Sequence, residues 1–569
     1  MTGVISGTGS LVKDGAGQLN LTGANSYAGG TQVNAGKVAL DANTALGVGS
    51  ATFAKDTELS LGITKGLSVA NAIEVNGEVD IHSGSFDSSL TGVISGSGSL
   101  VKDGAGLLSL TGANSYAGGT QVTAGKVALD ANSALGTGAA TFAKDTELSL
   151  GISKGISVAN AITTDGIIKQ SNDFDSSLTG VISGTGSLVK DGAGLLSLTG
   201  ANSYAGGTQV NAGKVALDAN TALGSGAATF AKDTELSLGI SKGISVANAI
   251  TTDGIIKQSN DFDSSLTGVI SGTGSLVKDG AGLLSLTGAN SYAGGTQVNA
   301  GKVALDANTA LGVGSATFAK DTELSLGITK GLSVANAIEV NGEVDIHSGS
   351  FDSSLTGVIS GTGSLVKDGA GQLNLTGANS YAGGTQVNAG KVALDANTAL
   401  GVGSATFAKD TELSLGITKG LSVANAIEVN GEVDIHSGSF DSSLTGVISG
   451  SGSLVKDGAG QLNLTGANSY AGGTQVNAGK VALDANSALG TGAATFAKDT
   501  ELSLGISKGI SVANAITTDG IIKQSNDFDS SLTGVISGTG SLVKDGAGLL
   551  ITTGANSYAG GTQVNAGKK

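Results

Sequence analysis

The 569-residue chain has no cysteine, no proline, no tryptophan and no arginine, and a single methionine. Without cysteine there is neither a disulfide scaffold nor a thiolate-ligated metal site. Without proline, and with 96 glycines that never settle into every third position, collagen is excluded. Every basic residue is lysine, so the two-pronged contacts that read phosphate and guanine are missing. Thirty basic residues against 46 acidic ones leave a net charge of −16. That sign argues against nucleic acid or anionic lipid as a partner. Aromatics are 3% and charged residues 13% of the chain, about half the usual charged share. No apolar run approaches the roughly 18 residues of a membrane-spanning helix, so no membrane insertion of this segment is expected. The opening Met-Thr-Gly-Val-Ile-Ser-Gly has neither the basic stretch nor the apolar core of a signal peptide.

What is present is small, apolar and periodic. Hydrophobic residues reach 39%, too many for a disordered chain. The string Leu-Val-Lys-Asp-Gly-Ala-Gly occurs seven times, with lysines at 13, 102, 190, 278, 367, 456 and 544. The spacings are 88 or 89 residues, giving six full repeats and a partial seventh. The copies differ mainly in one block. The long form reads Ala72-Ile73-Glu74-Val75-Asn76-Gly77-Glu78-Val79-Asp80-Ile81-His82. The short form reads Ala161-Ile162-Thr163-Thr164-Asp165-Gly166-Ile167-Ile168-Lys169-Gln170. Their order is long, short, short, long, long, short, and the three histidines, His82, His347 and His436, all fall in the long form. Because the repeats run end to end, residues 1–569 are expected to form one continuous object.

Within a repeat the period is two. Gln18-Leu19-Asn20-Leu21-Thr22, Thr31-Gln32-Val33-Asn34-Ala35 and Thr57-Glu58-Leu59-Ser60-Leu61 each alternate polar and apolar, the mark of strands with one buried face. Glycine or Asn-Gly closes each run as a corner. Nine to eleven such runs fit in a repeat. The one helical candidate, Asp41-Ala42-Asn43-Thr44-Ala45-Leu46, is a turn or two at most. Near-identical copies, glycine corners and scarce aromatics favour a β-solenoid of about four coils per repeat over a propeller, whose blades run to roughly 40–50 residues. Asn76-Gly77 reads either as a hairpin turn or as a corner of the coil, with the corner preferred because the short form keeps the glycine but not the alternation. Alternation places Phe53 and Phe86 inside or over the end of a coil.

The stretch Gly3-Val4-Ile5-Ser6-Gly7-Thr8-Gly9-Ser10-Leu11-Val12-Lys13-Asp14-Gly15-Ala16-Gly17, followed by Leu19-Asn20-Leu21-Thr22-Gly23-Ala24-Asn25-Ser26-Tyr27-Ala28-Gly29-Gly30-Thr31, resembles the autotransporter-associated β-strand repeat. That repeat belongs to passenger domains of type V secreted proteins of Gram-negative bacteria. Segments similar to Val69-Ala70-Asn71-Ala72-Ile73 recur there too. The resemblance implies an all-β, right-handed parallel β-helix displayed outside the cell, and little about a particular activity. The absence of cysteine suits a chain that crosses a membrane unfolded. Met1 in place of leucine, Leu550-Ile551-Thr552-Thr553 in place of Leu-Ser-Leu-Thr, and a stop inside a repeat point to a segment of a longer protein or an engineered array.

Few residues invite chemistry. Asp56 and Glu58, two apart on one strand, would share a face as a carboxylate pair able to act on a glycan. Asp80 and His82 would share another, as a metal site or proton shuttle. Both patterns recur from copy to copy, which fits a solvated flank better than an active site. Gly7-Thr8-Gly9-Ser10 and Gly29-Gly30-Thr31 complete no phosphate-binding motif and read as corners. Tyr27, Tyr116, Tyr204, Tyr292, Tyr381, Tyr470 and Tyr558 are the aromatics best placed to form a surface row for binding a glycan; the competing expectation is that each packs over a loop with its hydroxyl at the surface. Local function is expected in the variable block, 73 to 83 and its equivalents. The expectation is therefore a non-enzymatic extracellular rod without cofactor or metal. Its partners would be other copies, through the solenoid ends, or a glycan or protein on a host or bacterial surface. The rival is a polysaccharide-binding or polysaccharide-cleaving β-helix.

Overall fold

A computed structural model describes residues 1–568, in which strands and turns alternate and no helix occurs. The chain divides into two compact units, Met1–Val277 and Lys278–Lys569. Each is a parallel β-solenoid, in which a strand pairs with the strand one turn before it and the strand one turn after. In the first unit Leu100 lies beside Thr120, Thr120 beside Ala140, Ala140 beside Ile162 and Ile162 beside Ile182, so a turn takes 20 to 22 residues. Leucine, isoleucine and valine fill the interior almost without exposure.

The coil has three faces, and a repeat does not close on them. The repeat beginning at Ser99 contains eleven strands, from Ser99–Asp103 to Ile182–Ser183. Two irregular segments, around Asn114–Tyr116 and Ala134–Thr137, each take the place of a strand. Thirteen segments on three faces are four turns and one third. The next repeat therefore starts one face further round. Leu11–Lys13, Ser99–Asp103 and Ser187–Lys190 are the same stretch of three successive repeats, and they lie in three different sheets. In the second unit, Ser364–Asp368, Ser453–Asp457 and Ser541–Lys544 do the same. The four coils expected from repeat length fall short by that third.

Where the strand ladder lapses, buried side chains carry it. Asn114 accepts a hydrogen bond from the Ile94 amide at 2.8 Å and donates to the Ala134 carbonyl at 2.7 Å, bridging the turns below and above its own. One turn further, Asn160 donates to the carbonyls of Gly136 and Gly138 at 3.1 and 2.7 Å. Tyr116 is buried at this seam, its hydroxyl 2.6 Å from Thr120 Oγ1, which donates to the Leu135 carbonyl at 3.2 Å. Gly136, at φ +71°, passes so close that a Cβ there would stand 2.4 Å from the Tyr116 carbonyl oxygen and 2.8 Å from its ring.

A second internal device sits at the corner after Leu-Val-Lys. Alternation sets Lys102 on the same side as Leu100, and its side chain is buried. Its ammonium donates to the carbonyls of Asp103, Gly104 and Ala124 at 2.9, 2.6 and 3.1 Å. Lys367 and Lys456 make the same cage, and Lys190 and Lys544 a similar one. One cation bridges three corner carbonyls, of which that of Asp103 also accepts from the Ser83 amide at 3.3 Å.

The long and short blocks meet this frame in different registers. In the short form Glu147 lies beside Ile167 and Ile167 beside Ser187. In the long form Glu58 lies beside Asp80 and Asp80 beside Val101, the counterpart of Val189. The ladder has slipped by two residues. Side chains alternate with period two, so an even slip leaves Leu59 and Ile81, like Leu148 and Ile168, inside. Asn76-Gly77 is a corner: Ile73–Val75 and Glu78–His82 pair only with neighbouring turns, and in parallel. Residues 41–46 form turns rather than a helix. Phe53 is buried as alternation requires, but Phe86 is 37% exposed, because it lies in a corner loop where the period of two has ended.

Two predictions follow from these internal devices. Asn114→Ala orphans one amide and one carbonyl, at about 1–3 kcal/mol each. Hydrogen exchange is expected to show protection lost at the Ile94 and Ala134 turns first, with distant repeats unaffected. The second concerns pH. Burial pulls Lys102, Lys367 and Lys456 down to about 8, with the adjacent aspartate opposing it weakly. Between about pH 8 and 10.5 the unfolded chain holds protons that the folded chain has released, so stability rises with pH. Burial pushes the Tyr116, Tyr204, Tyr292, Tyr381 and Tyr470 hydroxyls above their ordinary value of 10, so above it the unfolded chain ionises first and stability falls. Melting temperature is expected to peak near pH 10, and changing all the caged lysines to methionine is expected to flatten the rising limb.

Candidate functional site

The variable block is where side chains change while the scaffold does not. In the long form the outward column runs Lys37, Glu58, Asp80, on three stacked strands. Lys37 Nζ stands 2.6 Å from Glu58 Oε2, and Ser60 donates to Glu58 at 2.9 Å. Partial burial opposes the Glu58 charge, but the bonds from Lys37 and Ser60 prevail and hold its carboxyl below the usual range. Asp80 has no such support. Partial burial and the charges of Asp103, Glu58 and Glu78 push its carboxyl up. Two residues along the same strand, His82 Nδ1 lies 2.6 Å from Asp103 Oδ1 in the next turn.

Around the two long blocks of the second unit the surface opens into acidic clefts. One of about 600 Å³ is lined by Lys302, Lys320, Asp321, Glu323, Glu343 and Asp345, among others. The other, of about 540 Å³, has Lys391, Asp410, Glu412, Glu432 and Asp434 in its wall. Both are open to solvent, and their glutamates are tied to lysine, Glu323 to Lys302 and Glu412 to Lys391, each at 2.9 Å. The short block reverses the chemistry. Ile167 stands beside Glu147, and Lys169 bonds Asp191 at 2.9 Å, with Lys523 and Asp545 repeating the pair at 3.1 Å. The block thus switches one flank between an acidic cleft and a paired, nearly neutral ledge.

The remaining candidates fall differently. Tyr27, Tyr116, Tyr204, Tyr292, Tyr381 and Tyr470 are buried, at 2% exposure or less. They cannot form a glycan platform, nor do their hydroxyls reach the surface, because the seam between turns encloses ring and hydroxyl alike. Tyr558, in the last turn, is half-buried, with its hydroxyl likewise on a threonine, Thr562. Asp56 and Glu58 do not share a strand face: Asp56 stands in the turn before Thr57–Leu61 at φ +59°, and its counterparts Asp145 to Asp499 adopt the same left-handed conformation. Asp80 and His82 do share a face, yet the histidine bonds across to Asp103. Among the described residues no three of histidine, aspartate and glutamate are grouped to hold a metal ion.

Two sets of residues escaped the sequence reading, the caged lysines and the seam asparagines. The signal for the lysine was available. In Leu11-Val12-Lys13 the alternation puts lysine on the leucine side, in every copy. Nothing comparable marks Asn114, which lies outside any alternating run.

The comparisons fall on this same division between frame and block. Residues 11–40, 100–129, 188–217, 276–305, 365–394, 454–483 and 542–568 match the passenger-associated-transport-repeat family. Each match spans the caged lysine, the seam asparagine and the tyrosine, and ends before the variable block. Over 547 residues the chain is 28% identical to the adhesin BmaC autotransporter of Brucella suis biovar 1 (strain 1330), covering 82% of this chain and 16% of that relative. No solved structure matches. Seven segments of the chain are thus passenger-associated-transport-repeats, and together with the autotransporter relative they indicate a secreted cell-surface protein of a Gram-negative bacterium.

Proposed function

We propose that the chain is an adhesive stalk, in which the seven matched segments build the frame and the variable block carries recognition. The observation that supports this most directly is the division just described. The frame repeats almost without change, whereas the block alters charge on an exposed flank through a register slip that keeps apolar side chains inside. The relative named an adhesin points the same way, although the chain spans only 16% of its length. A non-enzymatic role fits the geometry. The outward carboxylates recur in every long copy, and Glu58, Glu323 and Glu412 are each held by a lysine. Adhesion by lateral faces is the reading preferred to self-association into filaments.

The test is display of the chain on a non-adhesive Gram-negative host, with attachment to mammalian cells and to glycan-coated surfaces measured. Attachment is expected, and replacing the long blocks at 73–83, 338–348 and 427–437 by the short form is expected to reduce it several-fold while thermal stability changes little. Wild-type cells that do not attach, in a sample whose sedimentation coefficient grows with concentration, would transfer the function to self-association.

A further inference from the structure

The corner inside the variable block has the same backbone in its two forms and different chemistry upon it. Val75-Asn76-Gly77-Glu78 and Thr164-Asp165-Gly166-Ile167 hold the turn above them alike. The carbonyls of Val75 and Gly77 accept from the Gly98 and Ser99 amides at 2.9 and 3.0 Å. Those of Thr164 and Gly166 accept from the Gly186 and Ser187 amides at 2.8 and 3.0 Å. The amide of the second residue is also held alike, Asn76 by the Phe53 carbonyl at 3.0 Å and Asp165 by the Phe142 carbonyl at 2.8 Å.

In the short form the side chains tie this corner down. The Gly166 amide donates to Thr164 Oγ1 at 3.1 Å, and the Gly254 and Gly520 amides donate to Thr252 and Thr518 at the same distance. The Asp165 carboxylate accepts from the Thr185 amide and hydroxyl at 2.9 and 2.7 Å, and these bonds hold it below the usual carboxylate range. Asp253 and Asp519 are bonded in the same way by Thr273 and Thr539. The long form replaces the threonine by Val75, Val340 or Val429, each buried and with no atom that accepts a hydrogen bond. Among the described residues the amides of Gly77, Gly342 and Gly431 have no hydrogen-bond partner, nor have the side chains of Asn76, Asn341 and Asn430. These asparagines are exposed and their glycines half-buried. Each long corner thus sets an untethered carboxamide beside an unoccupied amide nitrogen that, in glycine, no side chain shields.

We infer that Asn76, Asn341 and Asn430 are modification sites, at which the long corners deamidate spontaneously in the folded protein while the short corners stay intact. The glycine nitrogen loses its proton and attacks the asparagine Cγ. A new N–C bond closes a five-membered imide, the bond from Cγ to the amide nitrogen breaks, and ammonia leaves. Water then opens the ring at one carbonyl or the other. One opening leaves aspartate where the short form already carries it, one turn below Ser97, Thr362 or Ser451, the counterparts of Thr185. The other leaves isoaspartate, whose extra main-chain carbon separates the two carbonyls that hold the next turn. Either product adds one negative charge to the acidic flank, so three reacted corners take the chain from −16 to −19. The long block therefore carries a slow, irreversible change of charge that needs no enzyme.

The test uses the full chain, folded and in urea, held at mildly alkaline pH and body temperature. Peptide mapping follows each asparagine and separates aspartate from isoaspartate. In the folded chain the three long corners are expected to convert within tenfold of their rate in urea, and anion exchange to resolve successively more acidic forms. A slower folded rate shows the corners held shut and overturns the proposal. Val75→Thr, Val340→Thr and Val429→Thr together restore the hydroxyl of the short form and are expected to slow the folded rate at least fivefold. A smaller effect overturns the part assigned to the free glycine amide. Should melting show that these variants do not fold, the exchange is made in the short form. Asp165→Asn with Thr164→Val is then expected to convert at least fivefold faster than Asp165→Asn alone, and a smaller difference overturns the same assignment.

Discussion

The whole structure depends on satisfying backbone donors and acceptors between one turn and the next. A strand of three or four residues has no partner within its own turn, so each amide and carbonyl must be met by a neighbour about 4.8 Å away. Most are met by parallel ladders. The exceptions are the lapse around Asn114–Thr137 and the corner after each Leu-Val-Lys. There the chain uses side chains that behave like backbone: an asparagine amide that both accepts and donates, and an ammonium with three donors. Both are buried polar groups of the kind that is costly unless fully partnered, and both are partnered by carbonyls that would otherwise be costly themselves.

This explains why the family match covers a turn and a half rather than a whole repeat. The repeated chemistry of the frame is local, and it is complete once the lysine cage and the seam are in place. Beyond it any apolar alternation of the right parity will stack. The variable block exploits that freedom by slipping two residues, which changes the outward charge without moving an apolar side chain out of the interior. The outward charge can therefore vary while the apolar interior is kept.

A good deal of this was legible. Repeats, strands, corners and a solenoid follow from a period of two punctuated by glycine, and the parallel pairing was implied by the family resemblance. Other features were not. The tyrosines were expected either in a surface row or packed over a loop with the hydroxyl at the surface, and they are buried instead. The ring lies where two of thirteen segments are not strands, against Gly136, which has no Cβ to exclude it. Phe86 was misplaced for the opposite reason, since alternation was carried into a corner where the backbone no longer pleats. Asp56 was set on a strand that begins one residue later, because a left-handed aspartate looks like any other in sequence.

The sequence by itself determined the class of fold, the repeat and the side of each strand that faces inward, since those depend only on local alternation and on turn residues. The register between turns, the cage around Lys102 and the rotation of each repeat by a third were decided by tertiary structure alone. The reason is physical. A turn closes where three faces and their corners come to about 20 residues, a length set by the packing of side chains across the coil. Nothing obliges 88 residues to be a whole number of such turns.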